Sequence, residues 1–119
     1  MKDYSKMSDF EINKAVAINR GGYQGHVKHM EHGVKESDRD SHGIFYFERD
    51  YCNNPSDAWP IMKESLIGVT PDEDGVTMHF YGDWTARAHC KNLQFTDKNP
   101  LRAVMIVYLM MKEAEKCWS

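Results

Sequence analysis

The chain has 119 residues, 41% hydrophobic and 28% charged, with a formal net charge of −3. This is the profile of one globular domain, residues 1–119, able to build a core without disulfide or metal staples. The charge is too small for a DNA mimic, and 15 dispersed Lys and Arg against 18 Asp and Glu give no basic footprint, so no DNA or RNA partner is expected. Three widely spaced cysteines, a polar start (MKDYSKMSDF) and a longest apolar run of eight residues, Val104–Met111, read as a reduced chain in a cytoplasm and not as a membrane protein, since a span needs about 20 apolar residues.

Ser8-Asp9-Phe10-Glu11 fits a capping box, with Met7 and Ile12 placed for a hydrophobic staple. The first helix should end near Asn19, because Gly21 and Gly22 follow. Residues 19–42 read as a mobile loop, glycine-rich and then densely charged, with at most a weak strand around His26–Met30. Gly43–Glu48 (GIFYFE) reads as a strand, and its apolar character on both faces places it in the centre of a sheet. Asn54 is a helix cap with Pro55 at the first helical position. That helix runs toward Ser65, and Pro60 predicts either a kink or a start at Ser56.

Leu66–Thr70 is the next expected strand and Thr70–Gly75 a turn. Val76–Tyr81 and Thr85–Cys90 both alternate, and a three-residue loop, Gly82-Asp83-Trp84, would keep both faces of a hairpin uniform. That register turns Ala86, Ala88 and Cys90 inward, gathers His79, Tyr81, Arg87 and His89 on the outer face, and leaves Trp84 exposed in the loop. Asn99-Pro100 repeats the cap-then-proline signal, and the helix from Pro100 to about Lys116 should be largely buried, being apolar all round over Val104–Met111. The expected class is α+β: a small antiparallel meander packed on a buried C-terminal helix, with two shorter helices.

Three constellations carry possible chemistry. Arg87 can clamp a phosphate or carboxylate, and Tyr81, His79, His89 and Trp84 can stack on or hydrogen-bond a base, so this surface is a candidate nucleotide site. An ordinary solvated sheet face is the plainer explanation. The segment Cys52–Pro60 places Asn53, Asn54, Asp57 and Trp59 at a helix N-terminus, where anions are favoured; caps and a core anchor are the structural alternative. His26, His29 and His32 have spacings of three, but the surrounding glycines disfavour a helix, so a solvated loop comes before a ligand or metal site. There is no nucleophile elbow, P-loop, H-E-x-x-H or dinucleotide fingerprint. No catalytic residue, metal or cofactor is therefore assigned.

Three blocks, Tyr4–Ala15 (YSKMSDFEINKA), Cys52–Ile61 (CNNPSDAWPI) and Asn99–Lys112 (NPLRAVMIVYLMMK), resemble the phage NinX family, named for a gene in the nin region of lambda-like phages. The middle block is the most specific. The resemblance implies an accessory protein of tailed phages and prophages and brings no catalytic residues with it. Within that setting the first expectation is a counter-defence protein that binds and sequesters a nucleotide-derived host immune signal, with a homo-oligomer able to build a pocket between subunits. The alternatives are a protein-binding inhibitor of a host defence or regulatory factor, and a nucleotide-degrading enzyme.

Overall fold

The computed structural model describes residues 3–73, 76, 80–89 and 92–118. After a single 3-10 turn, Tyr4–Lys6, the order is α1 (Asp9–Arg20), β1 (Tyr23–His26), β2 (Val34–Asp40), β3 (Gly43–Arg49), α2 (Pro55–Ser65), β4 (Ile67–Glu73), β5 (Phe80–Ala88), β6 (Gln94–Asp97) and α3 (Pro100–Trp118). The strands form two antiparallel three-stranded meanders, β1-β2-β3 and β4-β5-β6. With α3 against the second of them, the α+β expectation is met.

The helix starts form as their sequences dictate. Ser8 accepts from the Glu11 N–H at 3.1 Å while the Glu11 carboxylate accepts from the Ser8 N–H at 3.3 Å, and Gly21 closes α1 at φ +85°. Asn54 caps α2 through the Ser56 N–H at 2.9 Å. The helix starts at Pro55 and continues through Pro60; the N–H that Pro60 lacks is the one that would reach the carbonyl of Ser56, an exposed residue. Asn99 accepts from the Leu101 and Arg102 N–H groups at 3.0 and 3.4 Å. Ala103 through Leu109 are all buried, because α3 is the shared centre of the fold. It packs on α1 and α2 on one side and on β4, β5 and β6 on the other.

Four sequence expectations are corrected. Residues 19–42 contain β1 and β2, which ladder onto β3, and β1 ends at His26 where the weak strand was expected to begin. The strand signal is there, but as alternating charge: Lys35, Ser37 and Arg39 on one face, Glu36, Asp38 and Asp40 on the other. Second, β3 is an edge strand, not a central one; Ile44, Phe45 and Tyr46 are 53%, 44% and 58% exposed. α3 draws the core toward the other sheet, so the β2–β3 hairpin runs past it. Third, β4 continues through Thr70, Pro71 and Asp72 to Glu73 where a turn was expected. Fourth, the Gly82-Asp83-Trp84 loop does not exist. These residues lie inside one strand, β5, where Trp84 pairs with Pro71 and Asp97, and Thr85 with Thr70 and Thr96. Gly82 at φ +85° accommodates an irregularity opposite Pro71–Glu73 in place of a reversal.

Candidate functional site

Register decides which of the expected site residues meet. On β5, Ala86 is fully buried and Ala88 packs against the core, so Trp84, two residues earlier, shares the core-side face. Arg87 belongs to the opposite face, where its guanidinium donates to Thr70 Oγ1 at 3.1 Å. Beside it the buried Thr85 hydroxyl lies 2.5 Å from Asp72 Oδ1 and 2.7 Å from Thr96 Oγ1. Arg87 and Trp84 therefore do not form one surface. His89 is exposed beyond the end of β5; His79 and the side chain of Tyr81 lie outside the described residues, as does Cys90.

The block Cys52–Pro60 sits at a junction of hydrogen-bonded polar groups, in which Asp57 is buried while Asn53 and Asn54 are exposed. Asp57, 7% exposed, accepts from Arg49 at 3.0 Å and from the Asp50 N–H at 2.9 Å. Asn53 donates to Asp50 and Asp9, and Asn99 donates to the Cys52 carbonyl at 2.6 Å and to Asn53 at 3.2 Å. Asn13, fully buried on α1, donates to the His32 carbonyl at 2.8 Å and to Asp50 at 2.9 Å, and accepts from the Cys52 N–H at 3.0 Å. Arg102 completes the set from α3: it reaches Asp97 at 3.1 Å, Asp9 at 2.8 Å and the carbonyls of Tyr4 and Met7. Every buried side-chain nitrogen and oxygen among the described residues has a partner. The groups that looked like an anion seat are thus held by one another, and they tie three helix starts to the β3–α2 turn. Trp59 is 57% exposed, so it is not the core anchor that the sequence offered.

Cys52 is fully buried in this junction. Burial, and next the nearby Asp9 carboxylate, push its thiol well above the usual range, so it is protonated and not a nucleophile at neutral pH. The three histidines go separate ways. His26 packs edge-on against Phe10 with ring centroids 4.9 Å apart, His29 meets Glu48 at 2.9 Å, and His32 lies 3.7 Å from Glu31. No group of three or more metal-ligating side chains occurs among the described residues, and no helix there is long and apolar enough to cross a membrane.

A further surface lies on the first sheet. On its solvent face Lys35, Ser37 and Arg39 stand opposite Glu48, Tyr46 and Ile44. The Lys35 ammonium lies 5.0 Å from the centroid of the Tyr46 ring, and Gln24 donates to Ser37 at 3.0 Å. A shallow cavity of about 270 Å³ opens there between Lys28, His29, Lys35 and Tyr46. The face is net cationic around exposed apolar side chains, with Lys28, Lys35 and Arg39 set against Glu48, which lies 2.9 Å from His29. The reverse face carries the opposite sign toward its tip, with Asp38 and Asp40 exposed. At its base Glu36 is buried and takes a hydrogen bond from the Tyr51 hydroxyl, whose own ionisation is pushed far up by burial and next by that bond. Sequence reasoning missed this surface because the stretch that builds it was read as a loop.

The family model described as "Bacteriophage P22, NinX" matches residues 3–112. The match runs through both sheets and well beyond the three blocks that carried the resemblance, and the chain belongs to this family. Among curated proteins no match is found.

Proposed function

From membership of the phage NinX family, which makes the chain a phage accessory protein, we propose that it acts by binding a host protein, without catalysis, through the solvent face of the first sheet. The observation that carries this reading is the gathering of Lys28, Lys35 and Arg39 around the exposed Tyr46 and Ile44 in a chain whose overall charge is −3. Aromatic and aliphatic anchors within a cationic rim suit an acidic protein surface, where the apolar groups supply burial and the charges supply steering and register. Sequestration of a nucleotide by the Arg87 group has less support. Arg87 and Trp84 belong to opposite faces of β5.

The test is capture from host extract on the immobilised protein, with wild type, Lys35→Glu/Arg39→Glu and Arg87→Ala compared by quantitative mass spectrometry. A panel of cyclic oligonucleotides and ADP-ribose derivatives is filtered in parallel. One host protein should be retained by wild type and Arg87→Ala and lost with the double charge reversal, while the panel passes unchanged. A nucleotide that is retained, depends on Arg87 and returns intact on denaturation would overturn the proposal in favour of sequestration. Return as a smaller product would make the protein an enzyme.

A further inference from the structure

An edge strand offers a row of unpaired backbone donors and acceptors, and folded proteins ordinarily blunt such edges with proline, lysine or a covering element. β3 (GIFYFER) has no proline and no lysine, and its apolar residues Ile44, Phe45 and Tyr46 are about half exposed. The direction of its free groups can be worked out. The Ser37 N–H bonds the Gly22 carbonyl on the β1 side of β2 at 2.8 Å, and in an antiparallel ladder the N–H and C=O of one residue point the same way. Ser37 therefore faces away from β3. Its partner there, Tyr46, faces away from β2 in turn, and by alternation so do Ile44 and Glu48. The outward hydrogen-bonding groups of β3 are those of residues 44, 46 and 48.

We infer that this edge is the seam of a twofold dimer, in which a second copy of the chain adds its own β3 antiparallel to the first. One register uses every outward group: Tyr46 opposite Tyr46 of the second copy, on the twofold axis, and Ile44 opposite Glu48 at either side. The intervening close pairs are then Phe45 with Phe47 of the second copy, twice. Within one chain these two rings already lie 5.8 Å apart on one face, so pairing merges them into a cluster of four. Charge agrees with this occupant. The charged residues of β3, Glu48 and Arg49, sit at one end, and antiparallel pairing sets them against Ile44 and Gly43, so no like charges oppose. On the cationic face, Arg39 stands beside Ile44, which stands beside Glu48 of the second copy. The two charges occupy one row two strands apart, roughly 10 Å between backbones, within reach of two long side chains. The result is one six-stranded sheet with both cationic faces on the same side.

Sedimentation and light scattering at about 100 μM, the upper range for a modest seam, should give twice the chain mass of 13.8 kDa. Tyr46→Pro removes an outward N–H and no bond to β2, and Ile44→Lys places a charge on the edge. Each should yield a monomer with the circular dichroism and melting curve of a folded protein. Register is read by oxidation: Tyr46→Cys should cross-link to itself, whereas Ile44→Cys should not, its copies being four residues, roughly 13 Å, apart along the strand. Wild type alone serves as the control for the native cysteines. A wild-type monomer overturns the dimer whether or not a host protein is captured. A dimer that survives both edge variants, or that cross-links as Ile44→Cys and not as Tyr46→Cys, overturns the seam while leaving the host-binding reading intact.

Discussion

Removing the Asn13 amide is the sharpest test of what joins the two halves of the chain. Asn13→Ala takes away three hydrogen bonds at once: the acceptor for the Cys52 N–H and the donors to the His32 carbonyl and Asp50. The Cys52 N–H is left buried without a partner, at about 1–3 kcal/mol. Asp50 retains two contacts from Asn53, so its loss and that of His32 are nearer the ordinary net value of about 1 kcal/mol each. The expected sum is about 3–5 kcal/mol, against a total of about 6–18 kcal/mol for 119 residues. The variant should therefore fold at 25 °C with an unchanged urea slope and a lowered midpoint. Asn13→Asp discriminates further. It keeps an acceptor for Cys52 but sets a second carboxylate against Asp50 where the amide now lies at 2.9 Å, so it should be at least as damaging as alanine at pH 7. A loss below about 1 kcal/mol for alanine, or a near-wild-type Asn13→Asp, would refute the claim that this network ties α1 to the β3–α2 turn.

Arg102→Met leaves Asp9, Asp97 and two carbonyls facing a site where the side chain was only 12% exposed. It should cost about 3–5 kcal/mol by thermal unfolding, and Arg102→Lys should recover only part, because lysine lacks the fork. Alkaline pH should destabilise the protein. Cys52, Tyr4 and Tyr51 are all pushed up, in each case chiefly by burial; their contribution is complete below the unfolded values, about 8.5–10, and fades as pH rises above them. The melting temperature should be flat from about pH 6 to 8 and fall beyond about 9–10, and a flat profile to pH 11 would contradict the burial of these groups. Gly22→Ala should lower stability by about 1–3 kcal/mol, since a methyl there would meet the Ser37 backbone oxygen at 2.9 Å. A denaturant midpoint equal to wild type would show that β1 and β2 can separate without cost.

Three helix starts and the burial of α3 were legible in the residues alone. Ser8, Asn54 and Asn99 act on donors two or three positions away, and an all-round apolar helix has few places to go but the centre of the fold. The sheets were harder. Lys35–Asp40 alternates in the sign of its charge and not in hydrophobicity, so a search for apolar period two passes over β2. Gly82 reads equally well as a turn or as an irregularity within a strand, and the choice was made by β4 and β6, which pair with β5 on both sides. That choice separated Arg87 from Trp84.

Likewise Gly43–Arg49 has the composition of a central strand, and its place at the edge follows from α3 drawing the core toward the second sheet. The polar block Cys52–Asp57 reads as a site in the sequence, but Asn13 and Asn99, distant along the chain, engage it. Sequence by itself determined what rests on neighbours within one helical turn: caps, stops, and which long helix is buried. Tertiary structure decided edge against centre, turn against bulge, and free polar groups against satisfied ones, because each depends on which distant element comes to lie alongside.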